Sequence, residues 1–188
     1  MRGPAVLLLL ATSLVLGCST DRSGAAPIAN PRIAKAEALI DAFYSFDPQR
    51  LRRALNDAPE SQPQILYYQG WAEGGNYSVL KRTPCRPANH DEWSCHITVR
   101  DDLIAALGTG YDVTDTFKLT FEGGRIVAVD TSSNDPPQFD DALTWLRRER
   151  PEVFTGPCRG FFKGGPTPQD CVRAVVKGFA DFRARGGR

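Results

Sequence analysis

The chain has 188 residues, and its 23 Lys and Arg residues nearly balance its 22 Asp and Glu residues, so that the formal net charge is +1. A chain this close to neutrality lacks the positive field that attracts a polyanion, and nucleic acid is therefore not an expected partner. The length beyond the N-terminal segment, roughly 155 residues, suits one domain with its own hydrophobic core.

The first 17 residues have the composition of a signal peptide. A single positive charge at Arg2 precedes an apolar run that ends at Leu16, which is too short to span a bilayer stably. The sequence Val-Leu-Gly-Cys at 15–18 resembles the bacterial lipoprotein lipobox. This resemblance implies cleavage before Cys18 and acylation of its thiol and new amino group, and two or three acyl chains anchor a protein stably. The alternative is an ordinary secretory signal followed by an incidental cysteine.

Residues 18–30 (CSTDRSGAAPIAN) are small and polar, and we interpret them as a lipidated tether between the membrane and the domain. The predicted organisation is therefore a signal peptide at 1–17, the tether at 18–30, and a single domain at 31–188. The expected location is the bacterial cell envelope, on the periplasmic or cell-surface side, with the membrane contacted through the lipid anchor.

Four cysteines remain once Cys18 is set aside. An even number of cysteines in an exported chain indicates disulfides, because that compartment does not keep thiols reduced. We predict sequential pairing, Cys85 with Cys95 and Cys158 with Cys171, because it closes two short loops. The other two connectivities remain open at this stage.

The segment CRPANHDEWSCH at 85–96 also contains both histidines of the chain, which raises the question of a metal site. It lacks the paired spacing that structural metal sites use, and its thiols are expected to be oxidised. In a strand from Trp93 to Arg100, His96 would lie on the face opposite Cys95, while His90 would lie in the preceding turn. We therefore expect neither a metal nor a cofactor, and no histidine-based nucleophile.

Helix starts are predicted at Asn30-Pro31, Asp47-Pro48 and Thr167-Pro168, where a capping oxygen precedes a proline. The first helix has an apolar face, a short second helix should run from Pro48 to Leu55, and a third is expected at 65–72. The segment DDLIAALGTGYD is expected to be irregular or briefly helical. Further helices are predicted from about Gln138 through FDDALTWLRRERPEVF and from Thr167 to Arg183.

Two hairpins are predicted between these helices. The first joins residues 77–82 to residues 93–100 through the turn RPANHDE, and the Cys85–Cys95 disulfide should clip its open end. The second joins a strand at 114–121, whose apolar residues alternate, to a strand at 126–131. Gly123 and Gly124 can adopt the left-handed conformations that its two-residue turn requires.

Helices that lead into long antiparallel hairpins indicate an α+β fold. The stretches ALIDAFYSFDPQRLRRAL, TFKLTFEGGRIVAVD and PQFDDALTWLRRERPEVF resemble the NTF2-like, or SnoaL-like, superfamily over about residues 31–150. The resemblance implies a cone in which a curved antiparallel sheet packs on N-terminal helices around an apolar pocket. A disulfide-tied helical extension would follow from about residue 151.

Two classes of function fit that fold. The first is a non-catalytic module that binds a small apolar molecule or an envelope protein, and it is the function we expect. The alternative is a pocket enzyme of the isomerase, dehydratase or hydrolase type, which would place an Asp and a Tyr inside the cone. Expected pocket residues are Phe43, Tyr44, Tyr68, Trp71, Phe117, Leu119 and Phe121.

The candidate catalytic groups are Asp41, Tyr44, Tyr67, Tyr68, Asp115 and Asp130. None of them matches a catalytic motif, and we interpret Asp115 and Asp130 as surface carboxylates at strand ends. A buried Asp that faces a Tyr would favour the enzyme, whereas an entirely apolar pocket would favour binding.

Overall fold

The computed structural model describes residues 30–160 and 167–187. The predicted signal peptide, Cys18 and all of the tether except Asn30 lie outside the described residues. Within them, no helix is both long enough and apolar enough to cross a membrane.

Three helices open the domain, α1 (Pro31–Phe43), α2 (Pro48–Ala54) and α3 (Gln62–Gly74). The Asn30 side chain accepts a hydrogen bond from the backbone N–H of Arg32, and the Asp47 side chain accepts two, from Gln49 and Arg50. Two of the three predicted helix starts are thereby confirmed. Each proline at the first helical position lacks only an N–H that would have had no partner inside the helix.

The sheet contains β1 (Ser78–Arg82), β2 (Arg86–Pro87), β3 (Glu92–Arg100), β4 (Val113–Glu122) and β5 (Arg125–Ser133). All pairings are antiparallel; β1, β3, β4 and β5 lie side by side in that order, and the short β2 also pairs with β3. Both predicted hairpins are present. Gly123 and Gly124 have φ angles of 54° and 76°, as the tight turn between β4 and β5 requires.

The sheet is curved, and its register shifts in β1 and near the end of β4 are places where a bulged strand bends. Helices α1 and α3 lie against one face of it. The remaining helices are α4 (Asp102–Leu107), between β3 and β4, then α5 (Pro137–Glu149), α6 (Pro151–Thr155) and α7 (Gln169–Ala184). Helix α7 packs on α3, α4 and α5, and the whole is the predicted α+β fold.

Both predicted disulfides are present, Cys85–Cys95 and Cys158–Cys171. Such bonds are typical of proteins that are exported to an oxidising compartment. We had expected the first bond to join the two strands at the open end of its hairpin, but it does not. It lies midway along β3, where β1 has ended and β2 begins, because Arg82 pairs with Ile97 and Arg86 with Ser94.

Two helix predictions were wrong in detail. The helix predicted from Gln138 is interrupted at Pro151, which starts the separate helix α6, since a proline inside a helix removes a hydrogen bond and clashes with the preceding turn. Thr167 does not cap α7. Its hydroxyl donates instead to the backbone oxygen of Tyr67, at 2.7 Å, and so attaches the start of α7 to α3.

Candidate functional site

A partly enclosed cavity of about 160 Å³ lies between the sheet and helices α1, α3 and α5. Half of its lining residues are aromatic, and they are Phe43, Tyr68, Trp71, Tyr77, Phe117 and Phe139. The other lining residues are Ala72, Asp115, Thr131, Ser132, Ser133 and Asp135. The cavity therefore combines aromatic walls with carboxyl and hydroxyl groups.

The alternation of β4 directs Asp115 into this cavity. Successive side chains of a strand point to opposite faces, so Asp115 shares the inward face with Val113 and Phe117. The register then places Ile97 on one side of Asp115 and Ser133 on the other. Asp115 is only 7% exposed, and our interpretation of it as a surface carboxylate was wrong.

Two hydroxyl groups hold the Asp115 carboxyl. Tyr44 donates to Oδ2 and Ser133 donates to Oδ1, each at 2.6 Å. Burial raises the pKa of Asp115, and the two hydrogen bonds oppose that rise because they favour the ionised form. Burial and the neighbouring Asp115 charge raise the pKa of Tyr44 far above its ordinary value, so Tyr44 keeps its proton.

Two further carboxyl groups lie near enough to Asp115 for their charges to interact with it, and we call Asp101, Asp115 and Asp135 the acidic cluster. Asp101 is 3% exposed, and its Oδ1 accepts a hydrogen bond from Ile104 N at the start of α4. Burial raises the pKa of Asp101 to about 6, and the charge of Asp115 adds to the rise. Asp135 lies at the exposed rim, where partial desolvation and the charges of Asp115 and Asp101 raise its pKa to about 6.

Tyr77 lines the cavity, and the charges of all three members of the acidic cluster act on its hydroxyl group. The indole N–H of Trp71 donates to the Tyr77 hydroxyl oxygen, since an indole can act only as a donor. Burial, followed by the charges of the acidic cluster, raises the pKa of Tyr77 well above its ordinary value. Tyr77 is therefore a neutral phenol, and the bond from Trp71 does not use its proton.

Among residues 30–160 and 167–187, no Lys, Arg or His lines the cavity. The ion pairs within the same ranges do not include any member of the acidic cluster. The positive charge of Arg82 acts on Tyr44, but Arg82 forms its ion pairs with Glu37 and Asp41 and not with the acidic cluster. The described part of the chain also contains no group of three His, Cys, Asp or Glu side chains that could hold a metal ion.

The predicted pocket residues fall into three groups. Phe43, Tyr68, Trp71 and Phe117 line the cavity, and Tyr44 lies behind Asp115 as its hydrogen-bond donor. Leu119 and Phe121 are fully buried in the core rather than along the cavity wall.

The other candidate residues lie away from the cavity. Asp41 is exposed beside Arg82, Asp130 is exposed on β5, and Tyr67 belongs to the buried face of α3. His90 and His96 are both exposed. Asp135, Thr131 and Ser133, which line the cavity, and Asp101, whose charge interacts with Asp115, were not predicted from the sequence as members of the site. For Asp115, the signal in the sequence was its position two residues before Phe117, which places both side chains on the same face of the strand.

No family model and no curated protein sequence matches the chain. Among solved structures, the chain is similar to a solution NMR structure of a de novo designed β-sheet protein. The TM-score is 0.45 at 14% sequence identity, over 56% of this chain and 91% of the designed one. A likeness of that degree assigns neither a fold family nor a function.

Proposed function

We propose that this protein is an exported NTF2-like domain that binds a small molecule in the cavity between its sheet and helices α1, α3 and α5. The observation that carries the proposal is the cavity itself, with aromatic walls and a few polar groups, which is the usual composition of a small-molecule site. The hydroxyl of Thr131, a lining residue, is buried and has no hydrogen-bond partner among the described residues. Buried polar atoms are nearly always paired, and a bound molecule would supply that partner.

The order of the elements supports the NTF2-like assignment. Three helices precede a curved antiparallel sheet, and α1 and α3 lie on the face that carries the cavity. Helices α6 and α7, with the Cys158–Cys171 bond, follow as the C-terminal extension. Cys18, which would be acylated after removal of the signal peptide, would attach this domain to a membrane of the bacterial envelope.

Binding is favoured over a reaction because the groups that could perform chemistry already satisfy one another. Both oxygens of Asp115 accept hydrogen bonds from hydroxyls, and the Tyr44 proton is directed at Asp115 rather than into the cavity. An Asp acting as a base needs an oxygen within hydrogen-bond reach of the substrate proton. The two hydrogen bonds also weaken Asp115 as a base, because they favour its ionised form.

Native mass spectrometry of the Cys18→Ser chain, purified from its own envelope, tests the proposal. We expect an additional mass that is lost on denaturation. In Ala72→Leu the larger side chain would fill part of the cavity, because Ala72 lines it, and the additional mass should be reduced or absent. Ala38→Leu, on the exposed side of α1, is the matched control and should retain it. A bare chain from every preparation would contradict small-molecule binding.

An isomerase, dehydratase or hydrolase is the second candidate, and one observation favours it. Asp115 is buried against Tyr44, and Tyr77 has a proton that its bond from Trp71 leaves free. Asp115 could serve as the base through a remaining lone pair of its carboxylate, with Tyr77 as the donor to developing negative charge.

The released molecule distinguishes the two candidates. If the protein only binds, any molecule that the Asp115→Asn variant releases should be identical to the one that the full chain releases, in equal or smaller amount, as judged by chromatography and mass. If Asp115 is a base, the variant should accumulate unconverted substrate and release a different molecule or an isomer. Recovery of one identical molecule from both preparations would argue against catalysis by Asp115.

A further inference from the structure

We infer that the ligand of this cavity is a small organic cation, namely a protonated amine on an aromatic or branched alkyl body. This inference rests on the proposed binding function and adds the chemical class of the ligand. It depends on the charge of the cavity, the chemistry of its walls and its volume.

The charge of the site is unbalanced. The lining residues that the structure describes include Asp115 and Asp135 but no basic side chain, and the charge of Asp101 interacts with both carboxyl groups. Asp101 and Asp115 are 3% and 7% exposed, so water screens these two groups poorly. Buried charges in proteins are ordinarily paired, and the described residues pair none of the three with a cation.

One buried oxygen of the acidic cluster has no hydrogen-bond partner among the described residues, although Asp101, which carries it, does not itself line the cavity. Oδ1 of Asp101 accepts from the backbone of α4, whereas Oδ2 is buried without a hydrogen bond among the described residues. Asp115 differs, since hydroxyls occupy both of its oxygens. Hydroxyl donors orient a carboxylate without neutralising it, so the negative charge of Asp115 remains available to a cation.

The walls favour an organic cation over a metal ion. The faces of Trp, Tyr and Phe rings attract ammonium groups, and six such rings line this cavity. Aromatic rings do not replace the oxygen ligands that hard metal ions such as Ca²⁺ and Mg²⁺ require. An anionic ligand would be repelled, and a neutral apolar one would leave the carboxylate of Asp115 uncompensated.

The volume limits the size of the ligand. A cavity of about 160 Å³ is close to the roughly 150 Å³ that holds a benzene molecule. A phenyl ring with a short aminoalkyl chain therefore approaches the upper limit, unless the chain extends past Asp135 at the exposed rim.

Three probes of nearly equal shape test the inference by isothermal titration calorimetry on the Cys18→Ser chain at pH 7.5. They are phenethylamine, which is a cation, 2-phenylethanol, which is neutral, and phenylacetate, which is an anion. We expect phenethylamine to bind at least tenfold more tightly than 2-phenylethanol, and phenylacetate to bind most weakly. Asp115→Asn should abolish most of this preference, whereas Asp141→Asn, on the exposed side of α5, should preserve it.

If Asp115→Asn does not fold, as judged by circular dichroism, Asp135→Asn at the exposed rim is the second variant, and it should weaken phenethylamine binding about threefold. Equal affinity for the amine and the alcohol would overturn the cation inference and leave small-molecule binding intact. Failure of all three probes would also overturn it, and the native mass measurement would then decide separately whether the cavity binds another molecule.

Discussion

Replacing Cys158 and Cys171 with alanine is expected to lower the free energy of unfolding by about 3 kcal/mol. The bond joins two buried residues, one just after α6 and the other in the first turn of α7, and encloses a loop with a sequence separation of 13. Without the bond the unfolded chain gains conformational entropy while the folded chain gains little, so the unfolded state becomes more favourable. Alanine avoids burying a serine hydroxyl that would have no partner.

Urea titration followed by far-ultraviolet circular dichroism measures this loss. The matched variant replaces Cys85 and Cys95 with alanine, which opens a loop with a sequence separation of 10. Because the entropic effect depends only weakly on loop length, the two double variants should lose similar amounts. A loss below about 1 kcal/mol for the Cys158 and Cys171 variant would contradict the idea that this bond secures α7.

Asp101→Asn is expected to make the ligand-free protein more stable relative to wild type as the pH rises. Burial raises the Asp101 pKa from 3.8 to about 6, so between these values the folded protein retains a proton that the unfolded chain has released. Ionised Asp101 therefore destabilises the fold, with a penalty that begins near pH 3.8 and is complete above about pH 6. The full penalty is about 3 kcal/mol, because the pKa of Asp101 is roughly two pH units higher in the folded protein than in the unfolded chain.

The measured quantity is the difference in unfolding free energy between Asp101→Asn and wild type at pH 4.5 and at pH 7.5. We expect it to shift by about 2 kcal/mol in favour of the variant, since part of the penalty is already present at pH 4.5. Asparagine keeps the side-chain oxygen that accepts from Ile104. Asp141→Asn, on the exposed side of α5, is the control. A pH-independent difference for Asp101→Asn would show that burial does not destabilise its ionised form.

The prediction of the site from sequence failed at particular residues for physical reasons. Aromatic side chains were expected in the pocket, and four of the seven named residues line it. Large rings on the inward faces of helices and strands pack around any cavity that the core leaves unfilled. Asp115 was interpreted as a surface group because carboxylates at strand ends usually are exposed. Its alternation with Phe117 indicated the inward face, but alternation alone does not say whether other elements enclose that part of the face.

Local patterns in the sequence determined much of the secondary structure. The capping side chains of Asn30 and Asp47, the Gly123-Gly124 turn and the alternation of β4 each depend on neighbouring residues, so they could be recognised without knowing the fold. The disulfide pairing also followed from short spacing along the chain.

Tertiary structure alone decided the properties of the cavity. Tyr44 after α1, Asp101 before α4, Asp115 on β4 and Asp135 after β5 are far apart in sequence, and the packing of helices on a curved sheet brings them together. Burial is the main cause of the raised pKa values of Tyr44, Asp101 and Asp115. Partial desolvation and the charges of Asp115 and Asp101 raise the pKa of Asp135. Burial and electrostatic coupling depend on which groups exclude water from one another, and that is set by contacts between elements rather than by the pattern within any one of them.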